Sequence, residues 1–316
     1  MPTVSGSVSA LAGTYLIEAT VSDQDDGSGT ITQTTTNFSV VVTQEKTSTD
    51  YTGDFDLMTA GPAVNTASVR LAAQFTQDSD GSPGDISKAT ATFKIFKFNA
   101  INPSFVVANV PVDADGKASS SISLPADTYS ISVEAGTGNG YWIADPINLG
   151  LLSINVPSDE QRSSGGGWVP DPASASAKAN LAFSVTASRN GQPRGNISLS
   201  FRGFDGFNYL VKGNSWQAGY LQFSAEPGVT PIAYTSSNMK GNCTVQKIDP
   251  VTGVVIESFG NYGFEIFTRD GDLLNPQQSD SYSITVTSNT NTLFHKVGSQ
   301  YSLVPLGGGN ITNKAR

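Results

Sequence analysis

Short segments of alternating apolar and polar residues follow one another along the chain, and each ends near Gly, Asp, Asn or Pro. Alternation with a period of two indicates a β-strand with one buried face. Apolar residues at helical spacing do not continue for more than about two turns anywhere. The pattern predicts an all-β chain, in which the clearest strand segments are Phe38–Val42, Val69–Phe75, Ala89–Ile95, Leu181–Val185, Ile197–Phe201, Leu221–Phe223 and Tyr262–Ile266.

A tyrosine opens three similar segments, Tyr15–Val21, Tyr129–Val133 and Tyr282–Val286, and Gly or Asp stands two positions before each tyrosine. In immunoglobulin-like β-sandwiches, a buried tyrosine near the start of the penultimate strand donates its hydroxyl to backbone a few residues upstream. Each segment should then be followed by a last strand. The repetition predicts tandem Ig-like β-sandwiches, with last strands at Asn37–Val42, Ile147–Val156 and Leu293–Val304.

The position of each tyrosine predicts the domain boundaries. Few residues precede Tyr15, so residues 1–46 are predicted to hold only the last strands of a module. Residues 50–157 are predicted to form an Ig-like sandwich, 158–164 a linker, and 165–316 a larger C-terminal β-sandwich. A partial module exposes sheet edges and an apolar face. Two explanations stay open: the chain is a piece of a longer repeat array, or another chain supplies the missing strands.

Two glycine clusters carry a family resemblance. Gly165–Trp168, followed by Lys178–Phe183 and Gly195–Leu199, resembles the C-terminal β-domain of large bacterial surface proteins, which starts with Gly-Gly-Gly-aromatic. The closing segment of that domain, Leu-Gly-Gly-Gly-Asn, matches Leu306–Asn310. The sequence departs from the family in Asn180–Phe183, where Leu and Ala stand in place of Phe and Gly.

Two upstream segments extend this resemblance. Gly13–Gly29, which contains Val21-Ser-Asp-Gln-Asp-Asp-Gly27, resembles the end of a PKD-type Ig-like repeat. Gly84–Phe93 resembles the Ig-like module that precedes the C-terminal domain in the same proteins. The resemblance implies a multi-repeat secreted or cell-surface protein of bacteria, and it brings no catalytic residues.

Composition agrees with a surface location and excludes some partners. The formal charge is −9 and only 14% of residues are charged. Nucleic acids and anionic membranes need a basic footprint, so neither is an expected partner, and membrane insertion is not expected. The single Cys243 excludes an intramolecular disulfide.

Acidic turns are the candidate metal sites. Asp23, Asp25 and Asp26 cluster in one loop, and Asp78, Asp80 and Asp85 in another. Calcium takes six to eight oxygen ligands, and alternate Asp residues in a loop supply several of them. The alternative is an Asp-Gly turn, in which Asp bonds its own backbone. No cofactor is required, and calcium is the one candidate.

Aromatic residues are dense between Phe201 and Tyr220. A sugar-stacking surface would use rings of this segment, and the alternative is that the rings fill the core. The candidate ligand-binding residues are Phe204, Phe207, Tyr209 and Trp216.

No catalytic constellation is recognisable in the sequence. The only histidine, His295, is predicted to lie on a strand, and no Gly-x-Ser-x-Gly elbow occurs. The chain is therefore predicted to be a non-catalytic, extracellular structural or adhesin-type segment. The alternatives are a carbohydrate-binding module and a strand-exchanging subunit of a surface filament or layer. Expected partners are neighbouring repeats, a second copy through the partial module, and glycans.

Overall fold

The computed structural model describes residues 12–20, 35–79, 84–136, 141–171, 174–187, 190, 192–225, 234–274 and 276–315. Within these ranges β-strands are the dominant secondary structure, and the helical elements are two single-turn 3₁₀ helices at Ile86–Lys88 and Gly271–Leu273. No described helix has the length and apolar character needed to cross a membrane. The predicted all-β fold class is confirmed.

The first described element is a hairpin of strands β1 (Gly13–Thr20) and β2 (Thr35–Val42). The two strands pair antiparallel as a separate two-stranded sheet. Their apolar side chains are largely open to solvent: Leu16 is 72% exposed and Phe38 is 48% exposed. A two-stranded hairpin with exposed apolar residues has little stability of its own.

The next unit is a sandwich of two sheets. One sheet has the order β10-β3-β5-β8, and the other has the order β4-β11-β9-β6-β7. Alternate residues of both sheets fill one core, as in Val69 and Leu71 of β5 against Phe93 and Ile95 of β6. The strands are β3 (Glu45–Tyr51), β4 (Asp56–Met58), β5 (Thr66–Gln77), β6 (Thr90–Lys97), β7 (Phe105–Pro111), β8 (Lys117–Pro125), β9 (Thr128–Gly136), β10 (Trp142–Ile147) and β11 (Leu149–Asn155).

Tyr129 occupies the predicted position in this sandwich. Its ring is fully buried at the start of β9, and its hydroxyl donates a hydrogen bond to the Pro125 carbonyl at 2.8 Å. The acceptor lies four residues upstream, as in a tyrosine corner. The sandwich begins at Glu45 with β3, ahead of the predicted boundary at residue 50.

The C-terminal unit is one large sheet that curls around its own core. The strand order is β19-β18-β17-β16-β15-β14-β13-β12-β21, with β20 paired to β18. The strands are β12 (Arg162–Asp171), β13 (Ser174–Ala187), β14 (Pro193–Arg202), β15 (Asn208–Ser224), β16 (Ser236–Ile248), β17 (Val255–Arg269), β18 (Ser281–Thr287), β19 (Leu293–Val297), β20 (Val304–Pro305) and β21 (Gly308–Lys314). Residues 162–164 of the predicted linker are thus part of β12.

Tyr282 shows that this sheet folds over on itself. The residue lies on β18, and its buried hydroxyl donates to the Ala179 carbonyl of β13 at 3.1 Å. The acceptor is far away in sequence, so Tyr282 does not form the local corner that the repeated pattern predicts. Strands from opposite parts of the sheet order therefore face each other across the core.

Candidate functional site

Strand β11 lies between the two large units. Leu152 and Ile154 point into the core of the first sandwich, so the alternate residues Leu151 and Ser153 point the other way. Leu151 shares one buried apolar cluster with Ala182, Leu210 and Ile248 of the C-terminal sheet, and each of the four is at most 5% exposed. Because β11 is buried on both faces, the two units share an apolar interface.

Hydrogen bonds cross the same interface. Ser153 Oγ donates to the Phe183 carbonyl at 3.0 Å. Asn180 Nδ2 and Ser200 Oγ both donate to the Leu149 carbonyl, each at 3.0 Å. Separating the units would leave these groups without their partners, and each such bond contributes about 1 kcal/mol.

The two glycine clusters of the sequence pair with each other beside this interface. In the β12–β21 ladder, Gly166 lies opposite Asn310. A Cβ atom on Gly166 would lie 2.0 Å from the Phe55 carbonyl oxygen of the first sandwich, so a larger residue cannot be accommodated without a shift. Gly307 lies under the Trp168 ring, where a Cβ atom would be 2.4 Å from the ring. The motif glycines therefore permit close packing of backbone.

Charged groups join the units at two points. Lys178 Nζ lies 3.2 Å from Asp50 Oδ2, and the Asn148 side-chain amide donates to Asp50 Oδ1 at 2.9 Å. At the other end of the interface, Asp56 Oδ1 accepts a hydrogen bond from Asn155 of its own unit at 2.8 Å, and Asn310 and Arg162 of the C-terminal unit act on the same carboxylate. Burial raises the pKa of Asp56 to about 7, and the side chain of Asn310 and the charge of Arg162 oppose this only in part.

A second candidate site is an open groove of about 460 Å³ at one end of the C-terminal sheet. It is lined by the end of β14, the turn after it, the start of β15, and β19; we call it the Phe204 groove. Phe201 forms the floor: its ring stacks on Tyr209 at 5.3 Å and on His295 at 3.5 Å between centroids. The other residues that line the groove include Arg202, Phe204, Asp205, Tyr209, His295 and Lys296.

Asp205 holds the turn that carries Phe204. Its carboxylate accepts hydrogen bonds from Lys247 Nζ at 2.7 Å, from the Tyr209 hydroxyl at 2.9 Å and from the Phe207 amide at 3.3 Å. Partial burial acts to raise the pKa of Asp205, but these bonds outweigh it and hold the pKa below its ordinary value. The carboxylate is therefore ionised and already satisfied, and Phe204 at the tip of the turn is 89% exposed.

The structure distributes the predicted ligand-binding residues over two places. Phe204 and Tyr209 line the groove, and Phe207 lies beside it, with Lys247 Nζ 4.0 Å from the centre of its ring. Trp216 lies elsewhere: its indole N–H donates to the Gly195 carbonyl at 3.0 Å, and its ring packs on Phe264. Sequence reasoning did not include His295 in this site, because only the curled sheet brings β19 next to β14.

His295 lines the groove, although the sequence did not predict a ligand-binding role for it. It is only 8% exposed, and burial lowers its pKa to about 4, so the imidazole is neutral at pH 7. Its Nε2 atom has no hydrogen-bond partner among the described residues. A buried polar atom of this kind carries a desolvation cost that a ligand can relieve.

Three carboxylates, those of Asp270, Asp272 and Asp280, lie with one oxygen each within 4.8 Å of one another. Two of these carboxylates accept hydrogen bonds from backbone amides: Asp280 from the Ile311 amide at 2.6 Å, and Asp270 from the Asn313 amide at 2.9 Å. Both amides belong to β21, so the carboxylates close the outer edge of the sheet. Burial raises the pKa of Asp270 to about 6.

The predicted acidic loops are only partly described. Asp23, Asp25, Asp26 and Asp80 lie outside the described residues. Asp78 is exposed, and the Asp85 carboxylate accepts hydrogen bonds from the amide and hydroxyl of Ser87, at 3.1 and 2.6 Å. Calcium binding at these loops stays a prediction.

Comparisons with family models, with curated proteins and with solved structures found no match. Statements about function therefore depend on the geometry of the interface and of the groove.

Proposed function

We propose that this chain is a non-catalytic, extracellular structural segment of a bacterial cell-surface protein, of the adhesin type. The observation that carries the proposal is the burial of β11 between two β units. A segment that transmits force or holds a ligand away from a cell must resist bending between its domains. Domains joined only by a flexible linker move relative to each other.

The interface supports this proposal in three ways. Apolar packing by Leu151 and Ile248 favours one relative orientation, since moving the units apart exposes both side chains. Directional bonds such as Ser153 to the Phe183 carbonyl define a register between the units. Close approach at Gly166 leaves no room for sliding.

Two experiments test the two parts of the proposal. Calorimetry of the whole chain should show the two large units unfolding in one cooperative transition; two well-separated transitions would contradict the rigid segment.

Antibodies raised against residues 45–315 should label intact cells of the source bacterium. Labelling that appears only after the cells are broken would contradict the surface location.

The exposed hairpin favours a second role, self-association through strand exchange. Leu16 is 72% exposed, Val41 65% and Phe38 48%, and apolar hairpin residues of this kind gain stability by joining further strands. Light scattering of the purified chain should then show a mass above that of a monomer, falling to the monomer mass when Phe38→Ser and Val41→Ser are introduced. A strict monomer at all concentrations would contradict this role.

A further inference from the structure

The Phe204 groove combines one flat apolar surface with several polar groups. Phe204 is 89% exposed, yet the turn that carries it is held by the three hydrogen bonds to Asp205. Because the turn is already ordered, no conformational entropy of the turn is lost when a ligand packs against this exposed ring. The groove volume of about 460 Å³ lies in the range of roughly 300 to 1,000 Å³ that is typical of small-ligand sites.

Two side chains in the wall of the groove have polar atoms without partners. His295 Nε2 and Arg202 Nη1 are buried and make no hydrogen bond with a described residue. His295 itself is more than nine-tenths buried. In native structures such atoms are rare, and a bound molecule that displaces the side chains covering them would satisfy them with hydroxyl or carboxylate groups. The groove therefore favours a ligand that has an apolar face and many oxygen atoms.

The charges around the groove select among such ligands. Asp205 is neutralised by Lys247 at 2.7 Å, so it does not repel an anion. Arg202 lines the groove and Lys296 is an exposed residue of its rim. These two cations stand in a chain whose formal charge is −9, and they provide a local attraction for a carboxylate.

We propose that the Phe204 groove binds a hexuronate unit of an acidic polysaccharide, with the sugar ring stacked on Phe204 and its carboxylate directed to Arg202 and Lys296. A pyranose ring has one face of C–H groups, which packs on an aromatic ring, and its hydroxyls reach the neutral imidazole of His295. Such binding would add a ligand to the structural role, and it does not depend on that role.

Calorimetric titration of the full chain with a hexamer of galacturonic acid tests the proposal, with a neutral hexamer of glucose as the matched ligand and a chelator present. The acidic hexamer should bind at least about tenfold more tightly than the neutral one. Raising the salt concentration should weaken its binding, since Lys296 is exposed to solvent. Equal affinity for both hexamers, or binding of neither, would overturn the proposal.

Exposed side chains allow variants that keep the fold. Phe204→Ala should weaken binding of the acidic hexamer about tenfold, and Lys296→Gln about two- to fivefold. The control is Tyr301→Ala, which removes another ring that is 90% exposed but lies outside the groove. All variants should keep the melting temperature of the parent. An unchanged affinity in Phe204→Ala, or an equal loss in Tyr301→Ala, would refute this site.

Discussion

Replacing Leu151 by Ala should weaken the interface between the two large units. Leu151 is fully buried and lies in the same apolar cluster as Leu210 and Ile248. Burying a side chain of this size contributes about 1.5–3 kcal/mol. The three together therefore couple the units by roughly 5–9 kcal/mol, counted as if all their burial were lost on separation.

The substitution Leu151→Ala removes about 2–5 kcal/mol, the range found for buried Leu-to-Ala changes. We expect the single calorimetric transition of the parent chain to broaden or to split in two. The matched control is Leu124→Ala, which is equally buried but lies in the core of the first sandwich. It should lower the unfolding temperature without splitting the transition. If the two variants give the same single transition, the coupling inferred for β11 is wrong.

Two further perturbations act on the same interface. Gly166→Ala would place a Cβ atom 2.0 Å from the Phe55 carbonyl oxygen, and urea unfolding should show a loss of about 1–3 kcal/mol in stability. The control is Gly260→Ala, whose Cβ atom would meet no atom within 4 Å. It should cost less than about 1 kcal/mol. Asp56→Asn tests the pH dependence: burial raises the Asp56 pKa from 3.8 to about 7, so the folded chain holds this proton more tightly than the unfolded chain. The resulting stabilisation is complete below about pH 4 and is lost as the pH rises through about 7. Asp56→Asn should remove this pH dependence of stability. At pH 8 the variant should be more stable than the parent by about 2 kcal/mol, a value reduced for partial solvent access. Parallel pH profiles of stability in parent and variant would contradict the raised pKa of Asp56.

Local features of this fold could be predicted from sequence, because they depend on near neighbours. Alternation of apolar and polar residues predicts strands such as Phe38–Val42, and both β2 and the tyrosine corner of Tyr129 agree with the prediction. The corner is local: its donor and acceptor are four residues apart. The same pattern at Tyr282 led to the wrong acceptor, because the curled sheet brings Ala179 nearer to that hydroxyl.

Features that depend on distant segments could not be predicted. The Phe204 groove needs β14 and β19, and the stacking of Phe201 on His295 has no signal in either strand alone. One signal did exist for the interface: the glycines around Gly166 and Gly307 indicate close packing, although not which segment packs there.

The central claim is that the two large units form one rigid segment. A pair of spin labels at Ile101→Cys and Tyr301→Cys tests it most directly, since these residues are 91% and 90% exposed and lie in different units, while the native Cys243 is buried. Pulsed electron spin resonance of the doubly labelled chain should give one narrow distance distribution, which Leu151→Ala should broaden. A broad distribution in the parent chain would contradict the account.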